Sequence, residues 1–218
     1  MADIRPSRGL RYNLERIGDL SAVVTPPYDV ISSGQQCSSH RRGPYNIIRL
    51  ELGEELPGDT PGNNKYIRAA NTLNNWLQEG VLVWERYPAF YLVEHRFLHQ
   101  GGIKSCWGLI SNVRLNSDQI RPTETTMKQP ALDRFHLLKS CRANLSPVMG
   151  IFRQEGESLL SLFPNVTSHA PSMCGIDDYG VTYNLWMITD EDIVSKVREF
   201  FASKVLYIAD GHHRYETA

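Results

Sequence analysis

Apolar residues recur at spacings of three and four through residues 64–79, at Tyr66, Ala69, Ala70, Leu73, Trp76 and Leu77. That period places them on one helical face, and Gly80 supplies a C-terminal stop. Trp76 belongs to the stripe and is read as core, although an aromatic there could also serve as a ligand platform. Residues 89–97 and 104–115 are β-rich runs around His99-Gln100-Gly101-Gly102, which predicts an antiparallel hairpin. Alternation in its first strand sends Glu94 and Arg96 to one face and His95 to the other, a solvated pattern.

The remaining pattern predicts strands over residues 45–52, 148–152 and 183–188. In the first of these Arg49 and Glu51 share one face, opposite Ile48, Leu50 and Leu52. A helix is predicted over 130–143, with Pro130 in its first turn and Phe135 and Leu138 along successive turns. Another runs to about Phe201, opened by Thr189 and Asp192 as a variant capping box. Residues 1–31 read as extended and punctuated, 32–43 and 53–64 as polar loops, and 159–163 as a helical turn. The Ser-, Gly- and Pro-containing stretch at 150–180 is a possible sub-boundary. Finally Val205-Leu206-Tyr207-Ile208 reads as a buried strand, Asp210-Gly211 breaks it, and residues 215–218 open a helix. These elements predict an α+β fold, a mixed and largely antiparallel sheet with packed helices. A helix that has only begun cannot bury its face, so the chain is expected to be the N-terminal portion of a longer protein, an incomplete domain.

Composition changes this picture little. An apolar fraction of 41% is ordinary for a globular core, and 23 Lys plus Arg against 24 Asp plus Glu give a net charge of -1. No general electrostatic pull toward nucleic acid or membrane follows. Cys37, Cys106, Cys141 and Cys174 are widely spaced with no C-x-x-C pair, so a zinc knuckle or small disulfide scaffold is not indicated. The first residues lack the basic start and apolar region of a signal peptide, and no run approaches a membrane span. A cytoplasmic location is expected.

The candidate chemistry lies mainly in Asp210-Gly211-His212-His213-Arg214. A polar turn between strand and helix gathers backbone N–H groups, two imidazoles and a guanidinium, which suits a phosphate. The alternative is a capped turn with surface histidines. Asp29, presented after the stiff Pro26-Pro27 pair, is a base or metal ligand, or else caps a turn. Residues 121–126, with Pro122 and Glu124, make a plausible site edge. Asp133-Arg134 is either surface charge or brings Arg134 to a phosphate.

Together Pro26-Pro27-Tyr28-Asp29-Val30-Ile31, Pro44-Tyr45-Asn46-Ile47-Ile48-Arg49-Leu50, residues 122–126, Ala143-Asn144-Leu145-Ser146-Pro147 and residues 209–218 resemble the domain-of-unknown-function 1015 family. The likeness spans nearly the whole chain. The terminal motif also resembles the phosphate loop of the ParB/sulfiredoxin superfamily, including its free serine kinases. That resemblance implies that Asp210 is a metal or base position, Gly211 the turn, His212 a catalytic or phosphate-binding imidazole and Arg214 a phosphate clamp, with His213 in the variable slot. The chain has Pro122-Thr123-Glu124 where the unknown-function family is expected to show Pro-His-Glu. Serine kinases use a glutamate base, for which Glu124 and Asp29 are the candidates. The resemblance thus implies a nucleotide-dependent phosphotransferase for a small hydroxylated, serine-like metabolite, with ATP or ADP and Mg2+ as cofactors. A non-catalytic nucleotide-binding switch and a metal-dependent hydrolase using Asp210, His212 and His213 are the alternatives. Nucleotide and small molecule are the partners expected; neither membrane nor nucleic acid is.

Overall fold

The computed structural model describes residues 2–115 and 118–218. Its strands are β1 (Ile4–Arg5), β2 (Leu10–Tyr12), β3 (Leu82–Trp84), β4 (Phe90–His99), β5 (Gly102–Ile110), β6 (Asn112–Val113), β7 (Ile120–Pro122), β8 (Met149–Phe152), β9 (Met173–Ile176), β10 (Thr182–Ile188) and β11 (Leu206–Asp210). The α-helices are α1 (Leu14–Ile17), α2 (Ser33–Arg42), α3 (Ile48–Glu51), α4 (Lys65–Gln78), α5 (Lys128–Cys141), α6 (Pro164–Thr167), α7 (Glu191–Ala202) and α8 (His212–Thr217). The fold is α+β.

A four-stranded antiparallel sheet in the order β5-β4-β10-β9 contains the expected hairpin, with Phe97 opposite Lys104. One face of it, with Phe90, Leu92, Trp186 and Ile188, packs on Val194, Val197 and Phe201 of α7. Leu159, Phe163 and Leu206 of β11 close the same core. A second sheet, β7-β11-β8, pairs β11 parallel to β7 and antiparallel to β8. Its central strand delivers Asp210 to the site. A separate core gathers Tyr12, Leu50, Leu73, Trp76 and Leu82, so Trp76 is indeed a packing residue. Burial of Ala69, Leu73 and Trp76 seats α4, which Asn64 caps by accepting from the Tyr66 and Ile67 amides.

Several local expectations give way to capping chemistry. Residues 32–43 are helical because Ser32 and Gln35 form a reciprocal capping box, which outweighs the Gly and Ser content read as a loop. The expected strand over 45–52 is instead the short helix α3. Asn46, fully buried, accepts from the Ile48 amide and donates to the Ala22 carbonyl, so a side chain starts the turn that β-rich composition argued against. The first 31 residues are not simply extended, since they hold α1 and two 3-10 turns, one of them Tyr28–Val30 directly after Pro27. The cap of α7 is Asp190 rather than Thr189, with its carboxylate accepting from the Ile193 amide at 3.0 Å. α8 begins at His212, three residues ahead of the position read from sequence, so the histidines and Arg214 lie in the helix itself. Among the described residues no helix is long and apolar enough to cross a membrane.

Candidate functional site

Asp210 ends β11, and Gly211 follows in the left-handed region with φ 84°. The backbone favours glycine there, and a side chain would also displace Arg214. The backbone sign disfavours any side chain, and a Cβ would lie 2.8 Å from both Nε and Nη2 of Arg214. With the glycine's bare face beneath it, the Arg214 guanidinium folds back and donates from Nη2 to Asp210 Oδ2 at 2.6 Å. Among the described residues its buried Nε–H finds no acceptor, and buried His213 Nδ1 finds no hydrogen-bond partner. Unsatisfied buried nitrogens on consecutive residues are unusual and call for a ligand or water.

His212 is buried at 8% exposure, and its Nε2 faces Thr123 Oγ1 at 3.0 Å. Thr123 Oγ1 places its single proton on the Ile208 carbonyl at 2.7 Å. The Thr123 backbone N–H also donates to His212 Nε2, at 3.4 Å, so the backbone and hydroxyl of this one residue hold the ring together. The position where the sequence departs from Pro-His-Glu thus holds the hydroxyl that orients His212. Glu124, next to it, is exposed, whereas Glu216 of α8 is bonded to Thr126.

Arg134 is no surface charge. It is 5% exposed on α5, and its Nε and Nη2 donate to Asp133 Oδ2 at 3.0 and 2.5 Å. Its Nη1 donates to the Glu51 backbone carbonyl at 3.1 Å and to Glu51 Oε2 at 3.2 Å. The network extends outward from Asp133 Oδ1 to Lys65 Nζ and to the Tyr66 hydroxyl, each at 2.8 Å. Burial by itself would raise the Asp133 carboxyl, but Lys65 and Arg134 outweigh it and hold the group down to about 2. At the other end Ser146 Oγ donates to Glu51 Oε1 at 2.5 Å.

Tyr28 joins this network to the terminal turn. Its ring centroid lies 3.8 Å from the Arg134 guanidinium and 5.9 Å from that of Arg214. Burial raises its hydroxyl pKa, against the pull of both arginines. Asp29 follows it, exposed at the surface. Between the elements lies a cleft of about 30 Å³ lined by Glu51, Arg134, Asn144, Ser146, Arg214 and Thr217, among others, which is room for a water or two. Among the described residues no three His, Cys, Asp or Glu side chains group closely enough to hold a metal ion. The Asp210, His212 and His213 ligand set of a hydrolase is therefore not assembled.

Arg134 and Arg214 meet at the Tyr28 ring, Asp210 and Gly211 hold Arg214 in place, and His212 is anchored to Thr123. Asp29 and Glu124 sit beside contributing residues without lining the cleft, and Asp210 reaches it only through Arg214, which does line it. Sequence reasoning passed over Glu51, Ser146, Asp133, Lys65 and Tyr66. Asn46 was the available signal for Glu51, because an Asn before an apolar run can cap a helical turn and move the glutamate from the solvent face to the inside. The cysteines are all free, and burial pushes the Cys141 thiol up to about 11, which fits a packed side chain rather than a nucleophile.

Five segments spread along the chain thus meet at one place, contributing Tyr28, Glu51, Thr123, Ser146 and the 210–217 turn and helix. No curated protein and no solved structure matches the chain. Residues 4–218 match the family described as Protein of unknown function (DUF1015), and the chain belongs to that family.

Proposed function

We propose that this cleft binds the phosphate of a nucleotide and that the protein is a nucleotide-dependent phosphotransferase acting on a small hydroxylated metabolite of serine type. The observation that carries the reading is the Arg214 side chain, held over Gly211 and beside Asp210 with a buried Nε–H that lacks an acceptor among the described residues. A phosphate oxygen would satisfy it. Arg134 serves chiefly to position, because its contacts to Asp133 and Glu51 occupy most of its donors.

The donor set suits Mg2+ better than a tightly caged metal. Mg2+ keeps several waters and takes one or two carboxylates plus substrate phosphates, and the Asp210 side chain is 50% exposed. When bound, the ion would neutralise charge on the transferring phosphoryl group. Asp210 would hold it through the oxygen not engaged by Arg214, while Thr123 keeps His212 oriented behind the turn.

Calorimetric titration of the protein with MgATP, beside mass spectrometry of a panel of hydroxyl metabolites that includes serine, tests this reading. Binding and a phosphorylated product are expected, both lost in Arg214→Ala. Full binding and turnover in Arg214→Ala and Asp210→Asn would make the turn purely structural. Binding without transfer is the second reading, favoured by the positions of Asp29 and Glu124, the two carboxylates considered as base, which are exposed and outside the cleft lining. MgATP binding with no product in any panel member would establish it.

A further inference from the structure

Ser146 and Glu51 form a pair that phosphate binding does not itself require. The serine hydroxyl donates to Glu51 Oε1 at 2.5 Å, the short distance of a charge-assisted bond. Glu51 is buried, and its second oxygen is fixed by Arg134 at 3.2 Å. Arg134 is fixed in turn by Asp133 and by the Tyr28 ring. A hydroxyl, a carboxylate within hydrogen-bond reach and a third group orienting that carboxylate make up the arrangement of an activated nucleophile. Ser146 is half-buried and lines the same cleft as Arg214. The cleft has room for a water or two, so a phosphoryl group that reaches the hydroxyl takes the place of that water while the remainder of its donor stays outside.

We infer that Ser146 is a phosphoryl acceptor, with Glu51 as its base and Arg214 as the clamp on the incoming group. The inference rests on the phosphate-binding reading of the cleft and adds a covalent step to it. Ser146 Oγ forms a bond to the γ-phosphorus of ATP, and the bond from that phosphorus to the β,γ-bridging oxygen breaks. The hydroxyl proton passes to Glu51, and ADP leaves with the bridging oxygen. With acetyl phosphate as donor, acetate leaves instead. A weak base suffices, because the transition state of phosphoryl transfer is loose and needs charge neutralisation more than a strong nucleophile. The phosphoserine formed would exchange its hydrogen bond to Glu51 for contacts to Arg214, so like charge would separate phosphate from carboxylate.

The protein is incubated with MgATP, or with acetyl phosphate and Mg2+, and the phosphate is located by intact and tandem mass spectrometry. One phosphate on Ser146 is expected, stable in acid and lost in alkali, as a phosphoserine is and an acyl or histidyl phosphate is not. Ser146→Ala should lose it. Ser146→Thr, which keeps both the hydroxyl and its bond to Glu51, should retain it, and Glu51→Gln should slow its formation by about 100-fold. Circular dichroism of each variant shows whether a loss reflects unfolding, and the wild-type site assignment stands independently of any variant. Absence of an adduct from both donors, or phosphate on another residue, overturns the inference. MgATP binding is titrated on the same preparation. Binding without an adduct removes the serine acceptor alone, and failure of both removes the phosphate-binding reading with it.

Discussion

Removing the Arg134 side chain by Arg134→Ala exposes how the site is held together. The guanidinium is 5% exposed, with Glu51 Oε2 at 3.2 Å and Asp133 Oδ2 at 2.5 Å. Truncating one partner of a buried ion pair costs about 3–5 kcal/mol, mostly because the other charge is left without compensation. Here the burden falls unevenly. Asp133 keeps Lys65 and Tyr66, whereas Glu51, among the described residues, keeps Ser146. The lower end of that range, about 3 kcal/mol, is therefore expected. Loss of the contact to the half-buried Tyr28 ring adds about 0.5–1 kcal/mol. With a urea slope of roughly 2 kcal/mol/M, the denaturation midpoint should fall by about 1.8–2 M with the slope unchanged. Adding Glu51→Gln to Arg134→Ala should recover part of the loss, because the charge left unpaired is then absent. A midpoint shift below about 0.5 M, or a double variant weaker by the sum of its parts, would show that water already solvates Glu51 and that the network is not a closed one.

Gly211→Ala should destabilise the chain by about 1–2 kcal/mol from the left-handed backbone and also displace Arg214, so MgATP affinity measured by calorimetry should fall while Gly180→Ala, at a comparable φ of 75° but with open space around it, changes only stability. Thr123→Val deletes the hydroxyl that donates to the Ile208 carbonyl and faces His212 Nε2, and urea melts should report a loss of about 1–3 kcal/mol, whereas Thr123→Ser should be close to wild type. Acid should weaken the fold through Asp133, whose carboxyl sits at about 2 in the folded state and near 4 when unfolded. The folded value is the lower one, so the stabilisation is complete above about pH 4 and disappears as pH falls toward 2; after allowance for solvent screening it is about 1–2 kcal/mol. Asp133→Asn should flatten that part of the stability profile in urea melts taken from pH 5 to 2, and a variant with the wild-type slope would assign the acid limb elsewhere.

Elements whose signal is local are legible in the chain before any folding is considered. The three-and-four spacing from Tyr66 to Leu77 marks α4, alternation about Gly101 marks the β4–β5 hairpin, and the Asp210-Gly211 break marks the end of β11. Each needs only neighbours in the chain. The α+β class and the place of Asp210, Gly211 and Arg214 at a strand-to-helix turn were readable for the same reason.

Tertiary structure decided what those residues face. The bonds that build the site join positions 83 residues apart between Arg134 and Glu51, 95 apart between Ser146 and Glu51, and 89 apart between Thr123 and His212. No periodicity records such a pairing. Glu51 shows the point most directly. As a strand residue two positions from Arg49 it belongs on the solvent face. As the fourth residue of a turn begun by Asn46 it points inward beside Ile48, where Arg134 and Ser146 make its burial tolerable. A change of local period from two to 3.6 reverses the face of a side chain, and the buried polar network then selects which period the segment adopts.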